Sequence, residues 1–184
     1  MGREKMGLTN NRAELDFYAT NPKDVVEIVN LLGIDKKIRI LEPCAGNGHI
    51  SETLKNLGYE VVTNDIVERD IELDFTLDFL KEDIVGVYDL VVLNPPFKYV
   101  REFIIKSLEY APKVLVIARL DLLESMARKE LNNKYLEKAF VHSKRARFAK
   151  NGEEKMFKES TSMSTAWFLY NKNKNKEEIE VKVI

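Results

Sequence analysis

Asn94-Pro95-Pro96-Phe97 places an amide, two prolines and an aromatic ring directly after the apolar run Val91-Val92-Leu93. Proline has no backbone N–H and a fixed φ, so this turn presents stiff carbonyl acceptors. The Asn94 side chain adds an amide oxygen beside them. Two neighbouring acceptors suit a group that donates two hydrogens, a planar –NH2, and Phe97 offers a face on which a flat molecule can stack. A proline turn that merely ends a strand needs neither the amide nor the ring.

A second concentration of chemistry is Glu42-Pro43-Cys44-Ala45-Gly46-Asn47-Gly48. Gly46, Gly48 and Ala45 keep the turn narrow, so its backbone can approach a ligand. Ser51 stands where a dinucleotide fingerprint has its third glycine, and no Lys-Ser/Thr pair of a phosphate loop follows. Alone, the turn is as consistent with a structural β–α connection as with a binding loop. Roughly 20 residues on, Asn64-Asp65-Ile66 puts an acid where ribose hydroxyls can donate to it. Together, the glycine turn and Asp65 favour a nucleoside ligand. Asp78 can accept from an exocyclic amino group, and Phe79 or Ile66 can cover a purine face, with Asp74 and Asp83 as competing acids. Cys44, the single cysteine, reads as a small apolar filler without a redox or nucleophilic role.

These groups can meet only if strand ends converge. The segment 21–34 reads as a helix, with Pro22 in its first turn, Asp24 and Glu27 at its positive end, and Gly33 as its stop. Strands are expected at 37–43, 59–65, 87–95 and 113–120, with a weaker one at 70–75. Helices are expected from Gly48 to Tyr59, from Tyr99 to Ala111 and from Asp121 to Leu136. Two strands, 138–148 and 164–172, then follow without a long helix between them, as an antiparallel hairpin at the sheet edge. This alternation predicts a Rossmann-like, doubly wound α/β sheet, mostly parallel with an antiparallel C-terminal strand pair. In such sheets ligands bind beyond the carboxyl ends of the strands.

At 184 residues the chain reads as a single domain, 1–184, with flexible ends at 1–16 and 171–184. A hydrophobic fraction of 45% and a charged fraction of 32% describe an ordinary globular protein. No apolar run approaches the roughly 18 residues of a membrane span, and the N-terminus lacks the apolar region of a secretory signal. Met6 stands where a myristoylation motif starting at Gly2 would want Ser or Thr. One cysteine suits a reducing cytoplasm, and two histidines without ligand spacing argue against a metal site. A net charge of -1 gives no global bias toward nucleic acid, so any polyanion surface is local. Lys144, Arg145, Arg147 and Lys150, in a stretch without acids, are the best local candidates.

The N-P-P-F sequence resembles the [DNS]-P-P-[YFW] catalytic motif of class I S-adenosylmethionine-dependent amino-group methyltransferases, especially the DNA adenine-N6 type. Glu42-Pro43-Cys44-Ala45-Gly46-Asn47-Gly48 is similar to that family's cofactor loop, with Glu42 in its usual acidic position. Asp65 matches the ribose-binding acid, and Asp78-Phe79 is similar to the pair near the cofactor adenine. Phe17-Tyr18-Ala19-Thr20-Asn21-Pro22 resembles the "Y-x-T-P" element that packs over the cofactor methionine, with Asn21 inserted before the proline. The resemblance spans about residues 17–170, and its motif order is that of the gamma arrangement. The family's sheet has seven strands, which becomes the expectation here.

The resemblance implies S-adenosylmethionine as cofactor and methyl transfer to the exocyclic N6 of adenine in DNA. Asn94 and the Pro95 carbonyl would hold the amino group, Pro96 would stiffen the turn and Phe97 would stack on the base. Lys98, Arg101, Lys144, Arg145 and Arg147 are candidates for phosphate contacts. Related enzymes carry the same motif against RNA adenine or a protein glutamine amide, so these remain alternatives, as does a non-catalytic binding module. A separate target-recognition segment is not expected, the longest candidate being 121–162. Specificity would then be low, or supplied by dimerisation or by a partner. The small size resembles phage-encoded members of the superfamily, which places the protein in the cytoplasm of a bacterial or phage-infected cell.

Overall fold

The computed structural model describes residues 18–144, 146–150, 157 and 163–184. In chain order the elements are β1 (Tyr18–Thr20), α1 (Pro22–Leu32), β2 (Arg39–Glu42), α2 (His49–Asn56), β3 (Glu60–Asp65), β4 (Phe75–Thr76) and β5 (Leu90–Leu93). They continue with α3 (Val100–Tyr110), β6 (Lys113–Arg119), α4 (Met126–Tyr135), β7 (Leu136–Val141), β8 (Phe148–Lys150), β9 (Thr165–Asn171) and β10 (Glu180–Val183). Short 3-10 turns cover Phe97–Tyr99 and Leu120–Leu123.

Local chemistry explains the helix ends. The Asn21 side chain accepts from the Lys23 N–H at 3.0 Å and caps α1, with Pro22 in the first turn. Gly33, at φ 58°, closes that helix in the left-handed conformation. The inserted Asn21 is therefore a helix cap.

The main sheet has the order β10-β7-β9-β6-β5-β2-β3-β4. Every neighbouring pair is parallel except the two made by β9, which runs against both β6 and β7. The strand count is thus eight among the described residues, not the expected seven. The expected antiparallel pairing of the last two strands is present as β7 against β9, but it is not at the edge: β9 lies between β7 and β6, and β10 lies outside β7. The added strand is β10, within a tail expected to be a flexible end. It pairs in parallel with β7, and Glu180 meets its cross-strand partner Lys138 at 2.8 Å.

Side chains alternate between the two faces, as the pleat requires. On one face Ile40, Val92, Leu115, Ile117, Trp167 and Leu169 pack against Val25, Ile28 and Val29 of α1 and Ile50 and Leu54 of α2. On the other, Leu41, Val91, Leu93, Val114, Val116 and Phe168 pack against Val100, Phe103, Ile104 and Leu108 of α3 and Leu131 of α4. Trp167 is fully enclosed, and an aromatic buried so completely contributes about 3–5 kcal/mol relative to alanine. Ile105 is 38% exposed, because it falls outside the Phe103–Ile104–Leu108 stripe of α3.

Two long elements expected from the sequence are broken. The helix expected from Asp121 to Leu136 splits at Ser125, whose φ of 95° ends the 3-10 turn and whose side chain caps α4 through the Ala127 N–H. The strand expected at 138–148 splits into β7 and β8. Strand β8 leaves the main sheet and pairs antiparallel with β1, setting Thr20 opposite Phe148. No strand is expected from the sequence at residues 18–20. Their pairing partner lies far along the chain, so no local periodicity announces it.

Candidate active site

From β2 the chain moves outward to β3 and β4, then returns to β5 on the other side of β2. The crevice between β2 and β5 is therefore the topological switch point, where a doubly wound sheet opens to a ligand. The glycine turn leaves β2 here, and the N-P-P-F turn leaves β5 beside it.

On the β2 side, Gly46 and Gly48 hold φ of 57° and 77°. A Cβ on Gly48 would lie 2.9 Å from Ile71 Cδ1 and 3.3 Å from Glu52 Cγ. Both conformation and space therefore favour glycine. Asp65, at the end of β3, is buried and anchors the turn: its Oδ2 accepts from the Gly46 N–H at 2.8 Å. Its Oδ1 accepts from the Val67 N–H at 3.2 Å and from Arg69 Nη1 at 3.0 Å. A carboxylate offers about four acceptor positions. Three are taken, and the remaining one lies on Oδ2.

Asn64, which the sequence reading passed over, is fully buried and ties three strands together. Its Nδ2 donates to the Pro43 carbonyl at 3.0 Å and to the Leu77 carbonyl at 3.1 Å, while its Oδ1 accepts from the Leu77 N–H at 3.1 Å. Its own carbonyl accepts from the Ala45 N–H at 2.9 Å. Side-chain chemistry of this kind has no spacing signature.

Glu42 is 1% exposed, and its Oε2 has no hydrogen-bond partner among the described residues. Burial pushes its carboxyl well above the usual range, against hydrogen bonds from Ser51 that favour the charged form, and the Asp65 carboxylate adds to the rise. Ser51, which spoils the dinucleotide fingerprint, is thus the residue that holds Glu42. The Cys44 thiol is also pushed well up, by burial first and then by Asp65 and Glu42, which keeps it protonated.

The competing acids separate cleanly. Asp74 accepts from the backbone and hydroxyl of Thr63, both at 2.8 Å, and so fastens its loop to β3. Asp83 binds Lys106 at 3.2 Å and the Tyr110 hydroxyl at 3.1 Å on α3. Asp78 accepts from the Leu80 N–H at 3.2 Å and pairs with Lys81 at 2.8 Å, an interaction that holds its carboxyl below the usual range. Phe79 does not present a ring to a ligand. It is 2% exposed, with ring centroids 5.6 Å from Phe103 and 5.5 Å from Tyr110. Of the two residues expected to cover a purine, only Ile66, at 54% exposure, has an open apolar surface.

On the β5 side, Asn94 Nδ2 donates to the Tyr18 carbonyl at 2.6 Å and to Thr20 Oγ1 at 3.1 Å. A backbone carbonyl can only accept, so the nitrogen must face β1 and the oxygen must face away from it. Among the described residues no group donates to Asn94 Oδ1. The Pro96 carbonyl is used by the Tyr99 N–H at 2.9 Å, while no donor among the described residues reaches the Pro95 carbonyl. Tyr18 and Thr20 were expected to pack over a cofactor. The Tyr18 carbonyl and the Thr20 hydroxyl both accept from the amide of Asn94.

The expected basic residues divide. Lys98 and Arg101 follow the N-P-P-F turn, and Arg101 Nε donates to the Ala127 carbonyl at 3.1 Å. Lys144 is exposed in the connection from β7 to β8, and Arg147 Nη1 donates to the Phe157 carbonyl at 3.4 Å. Arg145 lies outside the described residues.

No protein-family model matches the sequence, and no curated protein matches it. Solved structures do match. A protein of Pyrococcus horikoshii described as an RNA methyltransferase is 14% identical with a TM-score of 0.59, over 82% of each chain. A protein of Listeria monocytogenes described as a class I S-adenosylmethionine-dependent methyltransferase is 13% identical with a TM-score of 0.64, over 90% of this chain and 65% of that one. The methyltransferase subunit of a type I restriction-modification system from Streptococcus thermophilus is 13% identical with a TM-score of 0.66. There the match takes in 91% of this chain but only 47% of the subunit. The chain has the fold of class I methyltransferases, with an acceptor-bearing turn at that fold's switch point.

Proposed function

We propose that this protein is an S-adenosylmethionine-dependent methyltransferase that acts on the exocyclic N6 of adenine in DNA. The observation that carries the proposal is the orientation of Asn94. With Nδ2 bonded to Tyr18 and Thr20, Asn94 Oδ1 is left as an acceptor next to Pro95, at the end of the strand that borders the switch point.

The residues beside them fit the cofactor. The unpartnered Oε2 of buried Glu42 suits an ammonium group, and the open acceptor position on Asp65 suits a ribose hydroxyl. Gly46 and Gly48 admit a close backbone approach, and Ile66 offers an apolar surface to a purine. S-adenosylmethionine, when bound, supplies a sulfonium methyl group. Asn94 Oδ1 and the Pro95 carbonyl accept the two N–H bonds of the target amino group and aim the nitrogen lone pair at that methyl carbon. Methyl transfer to the amino nitrogen would place positive charge on it. The same two oxygens stabilise it, as an oxyanion hole does for the opposite sign. Neither oxygen is a base near neutral pH, so the amino proton leaves to water. Phe97 stacks on the base, which must come from a single strand or leave the duplex.

The test presents radiolabelled cofactor with unmodified genomic DNA, RNA and a glutamine-containing protein, followed by nucleoside analysis. N6-methyladenosine from RNA alone would move the substrate to RNA, and label in protein alone would move it to glutamine. Cofactor binding without transfer to any acceptor would favour the non-catalytic reading. Footprinting on the methylated substrate then tests whether a homodimer or a specificity partner supplies sequence preference.

A further inference from the structure

Beside Phe97, on the β6 side, lies a pocket of about 210 Å3, lined by Phe97, Lys98, Ala118, Arg119, Leu122 and Arg128 among others. It is roughly seven times the ~30 Å3 that a water molecule occupies in the liquid, so it is more than a hydration site. Ala118 and Leu122 close it from the core side and are each 1% exposed. Its rim is cationic. Lys98, Arg119 and Arg128 stand against a single carboxylate, Asp121, which Arg119 already pairs at 2.9 Å.

Hydrogen bonds brace the segment that carries Leu122 and Arg128. The Tyr170 hydroxyl donates to Asn132 Oδ1 at 2.7 Å, and Asn132 Nδ2 donates to the Leu122 carbonyl at 3.0 Å. Arg128 Nη1 donates to the Asp121 carbonyl at 2.7 Å, and Arg101 Nε holds the Ala127 carbonyl. The turn that launches α4 carries Ser125 at φ 95°, a conformation costly for a side chain and found where the surroundings enforce it. Each guanidinium has five donors, so both arginines keep donors beyond these contacts.

We propose that this pocket seats the phosphodiester flanking the target nucleotide. The phosphate would lie between Arg119, Arg128 and Lys98. A cationic rim that shares the Phe97 wall suits a phosphate tethered to a stacked base, and it sets that phosphate one sugar away from the base. Arg119 and Arg128 are then positioning residues that the sequence did not single out. The assignment rests on the reading of the substrate as a polynucleotide.

The test is a fluorescence-anisotropy titration with labelled single-stranded, adenine-containing DNA and RNA across a salt series, which needs no turnover. For single strands, log K falls with log salt by about 0.7 per phosphate neutralised. Arg119→Gln with Arg128→Gln is expected to flatten that slope by about 0.7, one phosphate's worth, and to weaken binding by about tenfold or more. Arg128→Lys should restore most of the slope, and Lys37→Ala, at the opposite end of the strands, should leave it unchanged. Calorimetric affinity for S-adenosylmethionine and the melting temperature should match wild type throughout. Should Arg128→Gln fail to fold, Arg119→Gln alone, with its half-exposed side chain, carries the comparison. Wild-type binding with an unchanged slope in the variants overturns the pocket and leaves the polynucleotide reading standing. Failure of wild type to bind either strand, with cofactor binding intact, overturns both.

Discussion

The two sides of the switch-point crevice are built differently. The β2–β3 side is assembled from short connections: Gly46 bonds to Asp65, 19 residues away, and Asn64 to Pro43, 21 residues away. The β5 side is assembled across the chain, since Asn94 is oriented by Tyr18 and Thr20, more than 70 residues upstream. β1 is itself held by β8, near residue 150. A binding loop can thus be encoded locally, while the acceptor pair depends on the whole fold. The first side should fail through cofactor affinity, the second through turnover.

Asn94→Ala is the strongest test of that separation. Loss of one preorganised acceptor should lower turnover about 10²–10³-fold, while calorimetry should find S-adenosylmethionine bound within about twofold of wild type. Comparable losses in both quantities would show that the two sides are a single unit. Asp65→Ala should act in the opposite sense. It removes the anchor of the Gly46 N–H and the partner of Arg69, so cofactor affinity should drop by about 10–100-fold and stability by about 1–3 kcal/mol.

Thr20→Val probes the long-range brace alone. It deletes one of the two hydrogen bonds on Asn94 Nδ2 and keeps the shape, so turnover should fall by roughly 2–10-fold with cofactor affinity unchanged. A loss in affinity instead would return Thr20 to the cofactor side. Glu42→Gln is the smallest and most diagnostic change. Burial holds the Glu42 carboxyl above its usual range, so the native state keeps a proton that the unfolded chain loses from about pH 4.3 upward. Wild-type stability should therefore fall as pH rises from that value toward the folded pKa, by up to about 1.4 kcal/mol per pH unit. Glutamine has no proton to lose, so the variant should melt higher than wild type at neutral pH while binding S-adenosylmethionine less well. Thermal melts across pH, with and without cofactor, read both signs. A variant that melts lower at every pH would show that the buried Glu42 carboxyl does not cost the fold stability at neutral pH.

Much of the fold was legible because its signals are local. Pro22 and Gly33 bound α1, the apolar runs at β2, β3, β5 and β6 mark buried strands, and their alternation with helices implies a doubly wound sheet. The breaks at Ser125 and between β7 and β8 were not legible, since each interrupts a continuous pattern for the sake of a distant partner. Phe79 shows the same limit in the site. Its position beside Asp78 invited a ligand role, but Phe103 and Tyr110 on α3 claim its ring.

The sequence by itself determined which chemistry the chain carries: a donor-poor turn with an amide and a ring, a narrow glycine turn, and an acid one strand away. These follow from residue type and spacing along short stretches. Only the tertiary structure decided which atoms of those residues are available. Among the described residues, Asn94 has its nitrogen taken and its oxygen left open, Asp65 retains one acceptor position, Glu42 is buried with Oε2 unpartnered, and Pro95 rather than Pro96 keeps an open carbonyl. Hydrogen-bond satisfaction depends on partners that folding brings from anywhere in the chain, so it cannot be read from neighbours in sequence.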